Sequence, residues 1–592
     1  MRQDISSGAP SAAADGRVRG RHLWLFAILV MGLAFRFWRL SWGLPDFEPP
    51  DSVNYYIRPA ARLVAAGELV QSSFIHTPLF VYTIGLIDFV WSRTVGGPID
   101  LAPRMLQEGL GSILPSGRQG LLGTMDMPPQ LETLVLVARG YSAVTATLSL
   151  GVLYLLARRM VGVRAALLAT AVFALSPLHV LESHRANADG LMILLALVAA
   201  HRAVVALQQG RTQSLLAAFA VAGVTAAVRY NGLAIATLPA WVAMTWPGAR
   251  ASMRLGLLFR GSLVLAFVLT IGLLPAAFNW ERFQSQIVTL FSTGFVTGGN
   301  LDLSGEGWVY NRYVYQLVAV FPYALGWPAY LCSVVGLFLL ARSRPRSFAI
   351  LLAAIVPFFL VHGASRTVEP RYFQFLIPFL ALAAGVTLDA LVAARRRFGI
   401  AVAILVLGYT ATLAGSQCAR LGLGPQRAVA DLLHARAQSA TDAGRTLGVA
   451  YPGPIDLLFD PLRTQVRDPT IRLHHLPHVV DERTLPSPSE ILSDEQLADN
   501  LRQWAASMDV DVVVLPSWQE GVVLRSGRTD SNAARVYRYL GDGTLPFRQV
   551  AHFRDGFFTE RLYTWPDPLL NGHRATGILG YKVFVKTAEG SE

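Results

Sequence analysis

The chain contains few charged residues. Of its 592 residues, 15% are charged and 53% are hydrophobic, whereas a soluble domain carries about 25% charged residues. This deficit excludes an ordinary soluble fold. We therefore expect a polytopic α-helical membrane protein.

Lysine and cysteine are also scarce. Lys582 and Lys586 are the only lysines, so arginine supplies nearly all of the positive charge behind the net charge of +12. The arginines are spread between hydrophobic segments, which is typical of orientation in a bilayer, and no nucleic-acid partner is expected. The two cysteines, Cys332 and Cys418, fall in different hydrophobic segments, so we expect neither a disulfide nor a thiolate zinc site.

Long apolar segments recur along the first 420 residues. A helix that spans a bilayer needs roughly 20 mainly apolar residues. Residues 1–21, rich in Ser, Ala, Gly and Arg, are predicted to be a disordered cytoplasmic tail, and the first apolar segment lacks a cleavage site. Eleven spans are predicted, of which the fifth and sixth are short and could form one broken hairpin. They are 22–44, 133–157, 165–181, 190–207, 214–228, 231–248, 255–280, 313–341, 347–362, 372–394 and 399–419.

Arginine is distributed unevenly between the two ends of these spans. Eighteen arginines lie at one set of ends, and six lie in the shorter loops at the other. Because positive residues accumulate on the cytoplasmic side, we place the N-terminus in the cytoplasm. With an odd number of spans, the C-terminal region then lies on the outer side of the membrane. We therefore expect a multi-pass protein of the cell membrane.

Within and after this membrane domain, residues 22–420, two regions lie outside the predicted spans. Residues 45–132 form a long first outer loop, with an interfacial helix over 53–66 whose Tyr55 and Tyr56 face lipid. A surface-lying or re-entrant helix is predicted over 78–95. In residues 421–592 charge and proline increase and apolar runs shorten to strand length, which predicts an extracytoplasmic α/β domain.

Polar residues cluster at the outer ends of four spans. All of these clusters face the same side, so they can converge on one outward cavity, and ionisable groups at a membrane are costly unless they serve a function. The clusters are Asp46, Glu48 and Asp51; Glu182, His184, Arg185, Asn187 and Asp189; Arg229, Tyr230 and Asn231; and Arg366, Glu369, Arg371 and Tyr372.

The polar segments resemble those of a known family. Residues 51–56 read Asp-Ser-Val-Asn-Tyr-Tyr and precede Arg58 and, from His76, the run His-Thr-Pro-Leu. Arg139-Gly-Tyr-Ser, Arg229-Tyr-Asn-Gly and Arg371-Tyr-Phe follow in order. Over residues 22–420 the chain is similar to integral-membrane glycosyltransferases of the C-type fold, a class that includes protein O-mannosyltransferases and aminoarabinose transferases.

The resemblance implies a donor in which a sugar is linked through phosphate to a polyprenyl lipid held in the bilayer. Transfer to an acceptor hydroxyl needs a base, together with cations that stabilise the departing phosphate. Asp51 is the candidate base. Family members usually carry Glu next, where this chain has Ser52. Glu48 or Asp46 is the candidate for the second carboxylate, and the alternative is that it binds the acceptor. The sugar and the acceptor, whether glycan, lipid or protein, are left open.

Other polar residues are candidates for binding the donor phosphate or sugar. Arginine offers a planar fork for phosphate oxygens. For Arg58 and Arg185 the alternative is a snorkelling contact with lipid headgroups, and for Asp189 it is an ion pair with a neighbouring arginine. Arg36, Arg39 and Arg139 are expected to be structural. The candidates are Arg58, His76, His184, Arg185, Asp189, Arg371 and Tyr372.

The sequence requires no cofactor, although a divalent cation could bind the carboxylates of the first loop. His474, His475 and His478 resemble a metal cluster, but we expect a solvated loop because no further ligand stands at suitable spacing. The rival function is a transporter or flippase of a lipid-linked sugar, which predicts polar span centres and inverted repeats. A non-catalytic scaffold gives no reason for polar clusters at four span ends.

Overall fold

The structure, a computed structural model, describes most of the chain. The described residues are 12–42, 56–66, 74, 77–94, 129–292, 295, 311–365, 370–421, 424–451, 470–476, 492–516, 532–553 and 581–587.

A helical bundle comprises the first part of the chain. Two of its spans begin with 3₁₀ turns, Tyr230–Ala236 and Pro370–Leu376, and one contains a π-helical turn, Gln316–Val320. The helices are α1 (Ala12–Phe37), α2 (Arg58–Ala66), α3 (Pro78–Thr94), α4 (Pro129–Val161), α5 (Val163–Ala174), α6 (Pro177–Ser183), α7 (Asp189–Gln209), α8 (Thr212–Val228), α9 (Thr237–Met244), α10 (Ala251–Gly272), α11 (Leu274–Ala277), α12 (Trp280–Phe291), α13 (Arg312–Tyr315), α14 (Phe321–Leu325), α15 (Trp327–Ser343), α16 (Pro345–Ala364), α17 (Ile377–Ala394) and α18 (Arg396–Arg420).

The bundle has the composition of a membrane domain. Within the described residues, six helices are long and apolar enough to cross a bilayer, or up to eight if each of two bent helix pairs is one span. Large apolar side chains such as Phe259, Phe267 and Leu405 are exposed on its outside, where a bilayer would cover them. The predicted class, a polytopic helical membrane protein, is confirmed, and the exact number of spans stays a prediction.

Two predicted spans, 165–181 and 313–341, are bent. Helices α5 and α6 meet at 57°, and the segment Arg312–Leu325 meets α15 at 115°. Pro177 at the start of α6 has no N–H, so it interrupts the backbone hydrogen bonding between α5 and α6. Gly326 at the second bend has φ of +80°, a conformation that glycine adopts without steric cost.

Close helix contacts hold the bundle together. A Cβ atom built on Gly336 of α15 would lie 1.9 Å from the carbonyl oxygen of Ala383 in α17. Similarly, a Cβ on Gly385 would lie 2.5 Å from the carbonyl oxygen of Ala165 in α5. Glycine at these positions lets backbones approach closely, as is common between membrane helices.

The helices of the first loop pack into the bundle. Tyr56 is only 2% exposed, and its ring lies edge-on to Phe80 of α3 at 5.0 Å between centroids. The prediction that Tyr56 faces lipid was therefore wrong, because the ring packs against protein. Tyr55 lies outside the described residues.

The last part of the chain forms a layered α/β unit. It contains α19 (Gly424–Asp442), β1 (Leu447–Tyr451), β2 (Ile471–His475), α20 (Asp494–Ser507), β3 (Val512–Pro516), α21 (Asn532–Gly541), β4 (Phe547–Phe553) and β5 (Tyr581–Lys586). The sheet order is β2-β1-β3-β5-β4, with β2, β1 and β3 parallel and β5 antiparallel to both of its neighbours. Helix α19 covers one face, and α20 and α21 cover the other.

The α/β character of this region agrees with the prediction, and its start at residue 421 and its outer location stay predictions. One local prediction was wrong. His474 and His475 belong to strand β2, paired with Ala450 and Tyr451 of β1, and not to a solvated loop. His478 lies outside the described residues.

Candidate functional site

Several polar side chains meet at one end of the bundle, where α7 begins, α8 ends and the turn Pro370–Leu376 starts. Asp189 is the first residue of α7 and is 2% exposed. The side chain of Asn187 accepts a hydrogen bond from the Asp189 N–H at 3.1 Å, which fixes the start of the helix. A carboxylate there is stabilised by the helix N-terminus.

Asp189 is paired with an arginine. Its Oδ1 atom accepts from Arg229 Nη1 in an ion pair, and Gln374 Nε2 lies 3.4 Å from its Oδ2 atom. Of the two roles predicted for Asp189, the structure contains the ion pair. A contact with a donor hydroxyl stays a prediction.

Two guanidinium groups, those of Arg229 and Arg371, contact one tyrosine ring. The Cζ atom of Arg229 lies 5.6 Å from the centroid of the Tyr372 ring, and that of Arg371 lies 5.3 Å from the same centroid. Cation–π contacts of this length orient a guanidinium without using its N–H groups. The arrangement therefore brings together two guanidinium groups, of which Arg229 is already paired with Asp189, and guanidinium N–H donors suit a phosphate.

His184 and Arg185 hold the turn that leads to Asp189. The two ring nitrogens of His184 lie 2.8 Å from the Val180 carbonyl oxygen and 2.9 Å from that of Trp38. Arg185 forms an ion pair of 3.1 Å with Glu182. Both predicted ligands are thus engaged by protein groups in this structure, and a contact with the donor stays a prediction for each.

The first-loop candidates are described only in part. Asp46, Glu48, Asp51 and His76 lie outside the described residues. Arg58 belongs to α2, but the structure does not describe its side chain.

The backbone beside His76 is nevertheless anchored next to the site. The hydroxyl of Tyr230 donates to the Phe74 carbonyl oxygen at 2.9 Å, and the Phe74 N–H donates to Gln286 of α12. The Phe74 ring also lies edge-on to Phe283 at 5.7 Å. Phe74, which precedes His76 by two positions in the sequence, is thus held beside Tyr230.

The described residues on either side of the segment that carries Asp51 both contact the bundle. Before it, the Trp42 indole donates to the His184 carbonyl oxygen at 3.1 Å. After it, Tyr56 is buried against Phe80.

Sequence reasoning did not select Arg229, Tyr230 or Gln374 as site residues. Arg229 and Tyr230 were visible as part of a polar cluster. Gln374 stands three positions after Arg371 in a 3₁₀ turn, where side chains at i and i+3 share a face. That spacing was a usable signal.

A metal site is not evident in the described part of the chain. No group of three or more His, Cys, Asp or Glu side chains there could hold a metal ion. The carboxylates that could bind a divalent cation, Asp46, Glu48 and Asp51, are outside that part, and the cation stays a prediction.

Comparison with known proteins points to one family. Residues 134–275 match the family model described as dolichyl-phosphate-mannose-protein mannosyltransferase. This stretch is less than half of the chain and includes Arg139, His184, Asp189 and Arg229. None of the curated proteins matches the chain.

Solved structures show a loose likeness. The Archaeoglobus fulgidus oligosaccharyltransferase tethered to an acceptor peptide is 14% identical, with a TM-score of 0.47 and coverage of 90% of this chain and 72% of that chain. ArnT from Cupriavidus metallidurans bound to undecaprenyl phosphate is 16% identical, with a TM-score of 0.46. That match covers 98% of this chain and 100% of the ArnT chain. Because both TM-scores are below 0.5, no functional conclusion is drawn from these two structures.

The family match confirms the resemblance predicted from the sequence. It also confirms the predicted class of enzyme, a membrane glycosyltransferase related to those that use polyprenyl-phosphate sugars.

Proposed function

We propose that this chain transfers a sugar from a polyprenyl-phosphate donor to an acceptor hydroxyl at the outer face of the membrane. The observation that carries the proposal is that Arg229 and Arg371 both contact the Tyr372 ring, next to the buried carboxylate of Asp189. The family match over residues 134–275 supports the same chemistry.

The two arginines would act on the leaving group. In the transfer step, the acceptor oxygen forms a bond to the anomeric carbon while the bond from that carbon to the phosphate oxygen breaks. The lipid phosphate leaves with the electron pair and gains negative charge. Guanidinium groups that are already oriented stabilise this charge without reorganisation.

Asp51 would act as the general base that removes the acceptor proton. A base must reach the acceptor hydroxyl directly or through one water. The described residue Trp42, which precedes Asp51 in the sequence, donates to the His184 carbonyl oxygen in the turn that leads to Asp189, and this contact supports the proposal. Asp189 is less suited to this step because its oxygens already accept hydrogen bonds from Arg229 and Gln374.

The arginine distribution supports an outer location. The site lies at the N-terminal end of α7, whereas Arg159, which donates to His201 and Gln208, lies at the opposite end of that helix. The Arg164–Asp389 pair belongs to that opposite, arginine-rich end. Since positive residues accumulate in the cytoplasm, the site would face outward.

The experiment supplies purified protein with a panel of polyprenyl-phosphate sugars and acceptor glycans, lipids and peptides. We expect sugar transfer by the wild type and a loss of about 100-fold or more in Asp51→Asn, since general base catalysis contributes about 10² to 10⁴. Asp389→Asn, at the far end, is the matched control. Full activity in Asp51→Asn would refute the assigned base.

One observation favours a second function, that of a transporter or flippase for a lipid-linked sugar. Broken helices are frequent in transporters, and this bundle contains two bent helix pairs. The same protein reconstituted in vesicles should therefore be assayed for movement of the donor across the bilayer. Movement without transfer to any acceptor would favour the transporter.

A further inference from the structure

Arg36 and His179 form a fully buried polar pair between α1 and α6. Both side chains are 0% exposed. Arg36 Nη1 donates to the carbonyl oxygens of Gly32 at 2.9 Å and Ala174 at 3.1 Å. Arg36 Nη2 lies 2.9 Å from His179 Nδ1. A buried cation is costly to retain, so an arginine held this way needs a reason.

The pair sits at the bend between α5 and α6. Ala174 is the last residue of α5, and the carbonyl groups in the last turn of a helix have no partner within it. Arg36 supplies a donor to one of these carbonyls and places its charge at the negative end of the helix. A side chain of α1 thus donates to a backbone carbonyl at the break between α5 and α6.

His179 fixes the other side of the bend. Because Arg36 can only donate, His179 Nδ1 must accept, and the ring is then neutral with its proton on Nε2. His179 lies within α6, beyond the bend. One guanidinium therefore holds α5 through Ala174 and α6 through His179, which determines the angle between them.

The second bend lies against the first. Ser176 Oγ donates to the Ala324 carbonyl oxygen at 2.7 Å, next to the break after α14. Thr410 Oγ1 of α18 lies 3.4 Å from the Leu325 carbonyl oxygen at the same break. Movement at one bend would therefore disturb the other.

Helix α6 leads directly into the candidate site. It ends at Ser183, and the turn containing His184 and Asn187 connects it to Asp189 at the start of α7. His184 is itself bound to the Trp38 carbonyl oxygen of the segment that follows α1. The direction of α6 therefore determines where Asp189 meets Arg229.

We propose that Arg36 and His179 are positioning residues that hold the α5–α6 bend and thereby orient Asp189 toward Arg229. The effect on catalysis rests on the function proposed above. The pair itself touches no substrate: it acts through the backbone of α6 and the turn at 184–188.

The test changes the donor and the acceptor of the Arg36–His179 hydrogen bond one at a time. Arg36→Met and His179→Leu remove it, whereas His179→Asn keeps an acceptor close to the position of Nδ1. We expect kcat to fall about 10- to 100-fold in Arg36→Met and His179→Leu, because small misplacements of reacting groups cost that much. The KM for the donor should change far less, and His179→Asn should recover most of kcat.

Thr387→Val is the matched control for a purely structural effect. Thr387 Oγ1 donates to the Cys332 carbonyl oxygen at 2.7 Å, so this variant also loses a buried bond between helices, away from the site. We expect a lower melting temperature with unchanged kcat. Equal kcat in His179→Leu and His179→Asn, or loss of kcat in Thr387→Val as well, would overturn the positioning role.

Hydrogen–deuterium exchange of residues 182–189 provides a readout that does not depend on activity. We expect faster exchange there in His179→Leu than in wild type, and wild-type exchange in His179→Asn. If wild-type protein transfers no sugar, the proposed function fails while exchange still decides whether the pair holds the turn. If Arg36→Met does not fold, the two His179 variants carry the test, and unchanged exchange in His179→Leu refutes the proposal.

Discussion

At the scale of single residues, the buried carboxylate of Asp189 is paired with an opposite charge. Asp189 is 2% exposed and is neutralised by Arg229, while Gln374 contacts its second oxygen. Removing one partner of such a pair leaves an uncompensated charge in a medium of low dielectric, which is costly. The exposed pair Arg164–Asp389 has no such penalty, because water screens it.

This contrast yields a stability prediction. Arg229→Leu should lower the free energy of unfolding by about 3–5 kcal/mol, since it strands the Asp189 carboxylate. Arg164→Leu should lower it by no more than about 1 kcal/mol. Denaturant unfolding of both variants in detergent checks the difference.

The double variant Asp189→Leu/Arg229→Leu completes the comparison. It removes both charges, so its stability should exceed that of Arg229→Leu. A double variant that is less stable than Arg229→Leu would contradict the account of a stranded charge.

The site was partly predictable at this scale. Asp189, Arg371 and Tyr372 were selected from the sequence, and the structure brings them together around Arg229. His184 and Arg185 were selected by the same reasoning, yet they contact Trp38 and Glu182. The type of a residue indicates what it can bind, and its neighbours decide what it does bind.

At the scale of elements, close packing and breaks shape the bundle. Gly336 of α15 faces the Ala383 carbonyl oxygen so closely that a methyl group has no room. Gly256 of α10 has nothing within 4 Å of the corresponding position. Glycine is therefore required at the first position and only tolerated at the second.

These two glycines form a matched pair of substitutions. Gly336→Ala should destabilise the protein by about 1–3 kcal/mol, as overpacking forces α15 and α17 apart. Gly256→Ala should stabilise it by up to about 1 kcal/mol, since alanine has the higher helix propensity. Melting temperatures of the two variants, measured together, should move in opposite directions.

The angles of the two bends could not be predicted from the sequence. Hydropathy predicted the spans at 165–181 and 313–341, because apolar length is a local property. It gave no angle at Pro177 or Gly326. A proline or glycine permits a bend, and the packing of α6 against α1 and of α14 against α6 sets its size.

At the scale of the whole molecule, charge separates the two ends of the bundle. The mixed acidic, basic and aromatic residues around Asp189 lie at one end, and Arg159 and Arg164 lie at the other. The positive-inside rule assigns the second end to the cytoplasm.

Cysteine labelling tests this orientation. In a background of Cys332→Ala and Cys418→Ala, the exposed positions Ser439 of α19 and Gln213 of α8 are each changed to cysteine. A membrane-impermeant maleimide added to intact cells should label Ser439→Cys, and it should label Gln213→Cys only after the membrane is opened. The reverse pattern would place the site in the cytoplasm.

The sequence by itself determined the membrane class and the two chemically different ends, because these depend on hydrophobicity and charge along short segments. Only the tertiary structure decided which groups meet. Arg229 and Gln374 reach Asp189 across 40 and 185 positions, and Arg36 reaches His179 across 143. Such partners are selected by how helices pack and bend, which no local pattern encodes.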